Sequence, residues 1–114
     1  MLSEELITDI AQYIKDRVKS AEVVFDDKEP ESVQIIRKDI KDDTLKVFVN
    51  TTKGKGTIKD MRLLDDKGSV LISKPRGTIK TIDHAIVTTF WIRIVEEEID
   101  NPISIFELKE GLNG

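Results

Sequence analysis

The stretch Ala85-Ile86-Val87-Thr88-Thr89-Phe90-Trp91-Ile92-Arg93-Ile94-Val95 decides how the rest of the chain is read. At a period of two, Ile86, Thr88, Phe90, Ile92 and Ile94 share one face, and Val87, Thr89, Trp91, Arg93 and Val95 share the other. Every residue but Ala85 and Arg93 is β-branched or aromatic, a composition that suits a pleated surface at least half buried. One face is apolar enough to be core and the other apolar enough to need partial cover. The stretch is therefore expected to be the central strand of the fold.

Upstream, Leu63-Leu64 is followed by Asp65-Asp66-Lys67-Gly68, a turn signal with glycine where a positive φ is needed, and Ser69–Ser73 returns as a strand. Lys74-Pro75-Arg76-Gly77 interrupts, and Thr78–Asp83 leads into the central strand. Before the hairpin, Lys53-Gly54-Lys55-Gly56 reads as a hairpin tip, with a strand from Thr57 to Leu64. Leu45, Val47 and Val49 alternate with Lys46, Phe48 and Asn50, a strand with one polar-leaning face. Ser32–Ile40 is a strand of imperfect alternation that implies a bulge, and Glu22–Phe25 is a short strand ended by Asp26-Asp27-Lys28-Glu29-Pro30.

Residues 3 to about 20 predict the one helix. Leu6, Ile10, Ile14 and Val18 recur every four residues, and Ile7, Ala11 and Ala21 widen the stripe. Ser3 can cap the first free N–H groups, while Glu4, Glu5 and Asp9 suit the positive end of the helix dipole and Lys15, Arg17 and Lys19 the other. The stripe must dock, either on an open end of the sheet or on another chain. Downstream of Val95, Glu96-Glu97-Glu98-Ile99-Asp100 is acidic, Asn101-Pro102 stops the strand, and residues 102–110 form an apolar C-terminal segment. The sum is a mainly β domain spanning residues 1–114: an antiparallel β-sandwich, or a barrel-like sheet, of six or seven strands with one N-terminal α-helix.

The chain has 114 residues and no cysteine, which excludes disulfides, thiolate metal sites and cysteine nucleophiles. No run approaches the ~18 apolar residues of a membrane span, and the acidic start does not read as a signal peptide; cytoplasmic synthesis is expected. Net charge is −4, unevenly spread. Residues 1–31 carry nine acidic and four basic side chains (−5), residues 32–83 seven and twelve (+5), and residues 84–114 six and two (−4). Opposite blocks of this kind suit surfaces that meet, within the fold or between copies.

Candidate sites are few. His84, the only histidine, adjoins Asp83 and could act as a base held by a carboxylate, but no nucleophile elbow accompanies it. Glu96-Glu97-Glu98 with Asp100 lacks the spacing of a calcium loop, and Gly54-Lys55-Gly56 lacks that of a P-loop. No catalytic, metal or cofactor site is expected. Surplus apolar surface points to a protein interface at Leu6, Ile10 and Ile14 of the helix and at Ile103, Ile105, Phe106 and Leu108 of the C-terminal segment. The runner-up is a nucleic-acid-binding β-barrel using the basic segment 53–80, above all Lys53, Lys55 and Lys59, with Arg62, Lys67, Lys74, Arg76 and Lys80 beyond. The acidity of the whole chain opposes it.

The run from Gly56 to Leu71, with Lys74-Pro75 and then Thr89-Phe90-Trp91-Ile92-Arg93-Ile94, resembles a small β-domain of bacteriophage and prophage tail-fibre and baseplate proteins. The likeness lies in an apolar strand, a hairpin of the leucine–aspartate–glycine kind, a lysine- or proline-containing connection and a long alternating strand, over residues 56–95. It implies a non-enzymatic structural or host-contact component of a virion or prophage-derived particle. Such a component works by assembly, as a homo-oligomer or with other phage structural proteins, and without a membrane. The N-terminal helix and residues 103–108 fall outside the pattern.

Overall fold

A computed structural model describes residues 1–96 of the chain. Ser3 opens the helix: its hydroxyl accepts from the Leu6 amide at 3.1 Å, and α1 runs Glu4–Arg17. It ends earlier than the periodicity suggests. Val18 is already extended and buried as the C-cap, and Ala21, counted with the helical stripe, faces the core from the first strand instead.

Six strands follow: β1 Ser20–Phe25, β2 Glu31–Lys41, β3 Thr44–Thr51, β4 Gly56–Leu64, β5 Val70–Lys80 and β6 Ile86–Arg93. All pairings are antiparallel, in the order β5-β4-β1-β2-β3-β6, and the sheet curls until it is nearly closed like a barrel. The imperfect alternation of β2 is a bulge: Ile35 faces Val49 and Arg37 faces Phe48, leaving Ile36 without a cross-strand partner. The β4–β5 turn is as expected, with Gly68 at φ 80.

Three expectations are corrected. The Lys53–Gly56 segment is not a hairpin tip, because β3 and β4 are not neighbours; it crosses from one side of the sheet to the other. Gly54, at φ 88, lies against the Phe25 ring, so a Cβ there would come within 2.7 Å of it. The Lys74–Gly77 interruption does not end a strand: β5 runs on through Pro75 for 11 residues. Proline is tolerated because β5 is an edge strand, whose outward N–H groups need no ladder partner. Finally, β6 is not central but the other edge, paired only with β3. Apolar residues on both faces suggested a central position. In a curled sheet, however, every strand has one inner face, and the outer one can stay apolar and uncovered.

The inner faces make the core. Val18, Ala21, Val23, Phe25, Leu45, Val47, Val49, Ile58, Met61, Leu63 and Phe90 form one buried cluster, to which each fully buried large side chain contributes about 1.5–3 kcal/mol. From α1 only Ala11 is fully buried. The sheet therefore carries most of the stability, and the helix plugs one end of it. Lys38 pins that plug by donating to the carbonyls of Lys15 and Val18, at 3.0 and 2.8 Å, where the last helical turn leaves oxygens unpaired.

Candidate protein interface

On β6 the inward set Thr88 and Phe90, with Ile86 and Ile92 partly covered, lies where the alternation puts it. The outward set is open: Val87 is 58% exposed and Trp91 65%, with Val95 just beyond the strand at 66%. The β3–β6 register places Lys46 opposite Trp91 and Phe48 opposite Thr89, so the two aromatic rings are diagonal neighbours on the outer face. Each ring carries a cation. Lys46 Nζ lies 4.3 Å from the Trp91 centroid and Arg37 Cζ 4.9 Å from that of Phe48. At exposed positions such contacts contribute about 0.5–1 kcal/mol each; Trp91 stays open beside its cation, whereas Phe48 is half-buried.

The second edge is dressed differently. Along β5, Lys74, Arg76 and Lys80 point inward, while Ile79, 75% exposed, points out. Inward charges and a proline guard an edge strand against pairing with another chain. Lys80 is 2% exposed and donates to the Gly54 and Thr81 carbonyls at 2.7 and 3.0 Å, tying β5 to the β3–β4 crossover. Lys74 donates to the Thr89 carbonyl at 2.7 Å, above the Phe90 ring, and so spans the seam between β5 and β6. Burial, then the Arg76 charge, pulls the Lys74 ammonium below its ordinary pKa.

The helix candidates divide. Ile10 and Ile14 are half-buried by the molecule itself, whereas Leu6 remains 44% exposed. Between α1 and the seam lies a mostly apolar groove of about 260 Å³, lined by Tyr13, Ile14, Arg17, Leu71, Ile72 and Ile92. Ile103, Ile105, Phe106 and Leu108 lie outside the described residues.

The basic segment does not assemble into one patch. Lys53, Lys55 and Lys59 are exposed, but Lys74 and Lys80 are spent inside, and Arg62 bridges Asp60 and Glu22 at 2.8 and 3.2 Å. Asp26 adjoins the crossover, its carboxylate near the Thr57 amide at 3.4 Å. His84 is exposed in the β5–β6 turn, and its Nδ1 lies 2.8 Å from the Thr81 hydroxyl, which stitches the turn without Asp83. Asp65 accepts from the Lys67 and Ser69 amides at 2.9 and 2.8 Å, and these bonds, that to Ser69 foremost, hold its carboxyl below the usual range. Its carboxylate thus caps a turn. Of the acidic run, only Glu96 is described; it meets the Met1 amine at 3.3 Å. Among the described residues, no three potential metal ligands gather and no helix is long and apolar enough to cross a membrane.

Sequence reasoning separated Trp91 and Phe48 onto the faces they occupy, but it did not bring them together. Alternation gives the side of a strand on which a residue sits; only the β3–β6 register makes the two rings neighbours. No protein-family model, no curated protein and no solved structure matches the chain.

Proposed function

We propose that this chain is a non-enzymatic structural protein of phage or prophage type, a tail or baseplate component that works by binding other protein chains, copies of itself included. The observation that carries the reading is the uncovered outer face of β6, where Val87, Trp91 and Val95 are each more than half exposed beside Phe48. Apolar side chains grouped on one face of a small domain mark a contact surface. The guarded β5 edge supports the same reading: strand pairing is discouraged along β5, while the outer face of β6 across the seam is left open. The likeness of residues 56–95 to tail-fibre and baseplate domains supplies the class.

Size-exclusion chromatography with light scattering tests the proposal. The expected result is a mass that rises with concentration, together with a blue shift in the emission of Trp91, the only tryptophan. A strictly monomeric protein with unchanged emission at the highest attainable concentration would overturn self-assembly.

A further inference from the structure

Two outer faces of the molecule have opposite chemistry. The first is the sheet face just described, in which Phe48 and Trp91 are topped by Arg37 and Lys46. Arg37 shares its charge with Asp39, but Lys46 has no carboxylate within ion-pair distance among the described residues. The second is the outward stripe of α1. Glu5, Asp9 and Asp16 lie along one line of the helix, all exposed, and none makes an ion pair among the described residues. Leu6 and Tyr13, two turns apart beside that line, are 44% and 61% exposed; Tyr13 carries the Arg17 guanidinium, whose charge is shared with Asp65. One face is thus apolar and basic, the other apolar and acidic.

We infer that these faces bind each other between copies of this chain: the acidic stripe of one helix seats on the aromatic, basic sheet face of the next. The inference rests on the assembly reading above and specifies its geometry. A two-fold contact through the sheet face would set Lys46 and Arg37 against their own copies, and one through the helix would do the same to Glu5 and Asp9. Like charges so placed oppose association. Pairing the unlike faces removes that repulsion and covers Trp91 and Leu6 together. Because the two patches differ, one such contact leaves a patch free on each of the two copies, and the assembly either closes, as a reciprocal two-fold pair or a larger ring, or extends as a filament.

A charge swap tests it, with Lys46→Glu and Asp9→Lys made singly, mixed in equal amounts, and combined in one chain. Both positions lie outside the buried core, and thermal melts confirm that each variant folds. Light scattering and Trp91 emission at low salt are the readouts. The expected result is association weakened about tenfold or more in either single variant, recovered in the mixture and in the double variant, and reduced for the parent protein by added salt. Single variants that associate as well as the parent overturn this pairing of faces while leaving assembly intact, as do losses that the mixture fails to restore. A parent protein that never associates removes both.

Discussion

Individual side chains in the interior show where polarity is matched and where it is not. The hydroxyls of Thr51 and Thr88 point inward on adjacent strands, are fully buried, and have no hydrogen-bond partner among the described residues. A buried hydroxyl without a partner costs free energy, so replacing it with a methyl group recovers some of it. Thr88→Val is expected to raise stability by about 1 kcal/mol, read as a higher urea midpoint at unchanged slope. Lys80 is the opposite case. Its ammonium satisfies two carbonyls at once, and Lys80→Met keeps the bulk while leaving the Gly54 oxygen unpaired and the Thr81 oxygen with the His84 amide alone. A loss of about 1–3 kcal/mol is expected in the same titration.

At the scale of elements, glycine separates a strained turn from a crowded crossing. Gly54 and Gly68 both have positive φ, at 88° and 80°, but a Cβ at Gly54 would strike the Phe25 ring at 2.7 Å, whereas at Gly68 nothing lies within 4 Å. Gly68→Ala should therefore cost only the backbone strain of about 1 kcal/mol, and Gly54→Ala clearly more, because it also displaces a core aromatic. Comparing the two melting temperatures checks the argument. The Asp-Gly turn was legible in the sequence because its chemistry is local; so were the helix cap, the bulge in β2 and the inner face of β6. The crossover at Gly54 and the edge position of β6 were not, since both depend on which distant strands become neighbours. Lys80 escaped for a related reason. The inward parity of β5 fixes its burial, and composition alone places a lysine in water. The same limit hid the outer aromatic face, whose members are 43 positions apart in Phe48 and Trp91.

For the whole molecule, carboxylates tie strands, turns and the N-terminus to one another. Asp43 takes Arg93 at 2.9 Å, Asp60 takes Arg62 and Ser73, and Glu96 takes the Leu2 amide and the Met1 amine. Each is held below its ordinary pKa. For Asp43 the cause is chiefly the Arg93 hydrogen bond, and for Glu96 the Leu2 amide. For Asp60, burial acts the other way but is outweighed by Arg62 and Ser73. A carboxyl whose folded pKa is depressed stabilises the fold above its unfolded value of about 4, and that contribution disappears as pH falls through the folded value. Urea midpoints should accordingly be level from neutrality to about pH 5 and decline below about pH 4. A midpoint that held steady into that acid range would show these links to be energetically idle.

The seam spanned by Lys74 means that the wall of this small vessel is laced on every side but one, and there a single ammonium serves as the latch. Among the described residues no ladder joins β5 to β6, so their facing amides should trade protons with solvent sooner than those of β1, which is hemmed in by neighbours on both flanks. Breathing of the fold would begin along that line, and Lys74→Met, which undoes the latch, should quicken exchange there first while β1 keeps its slow rate.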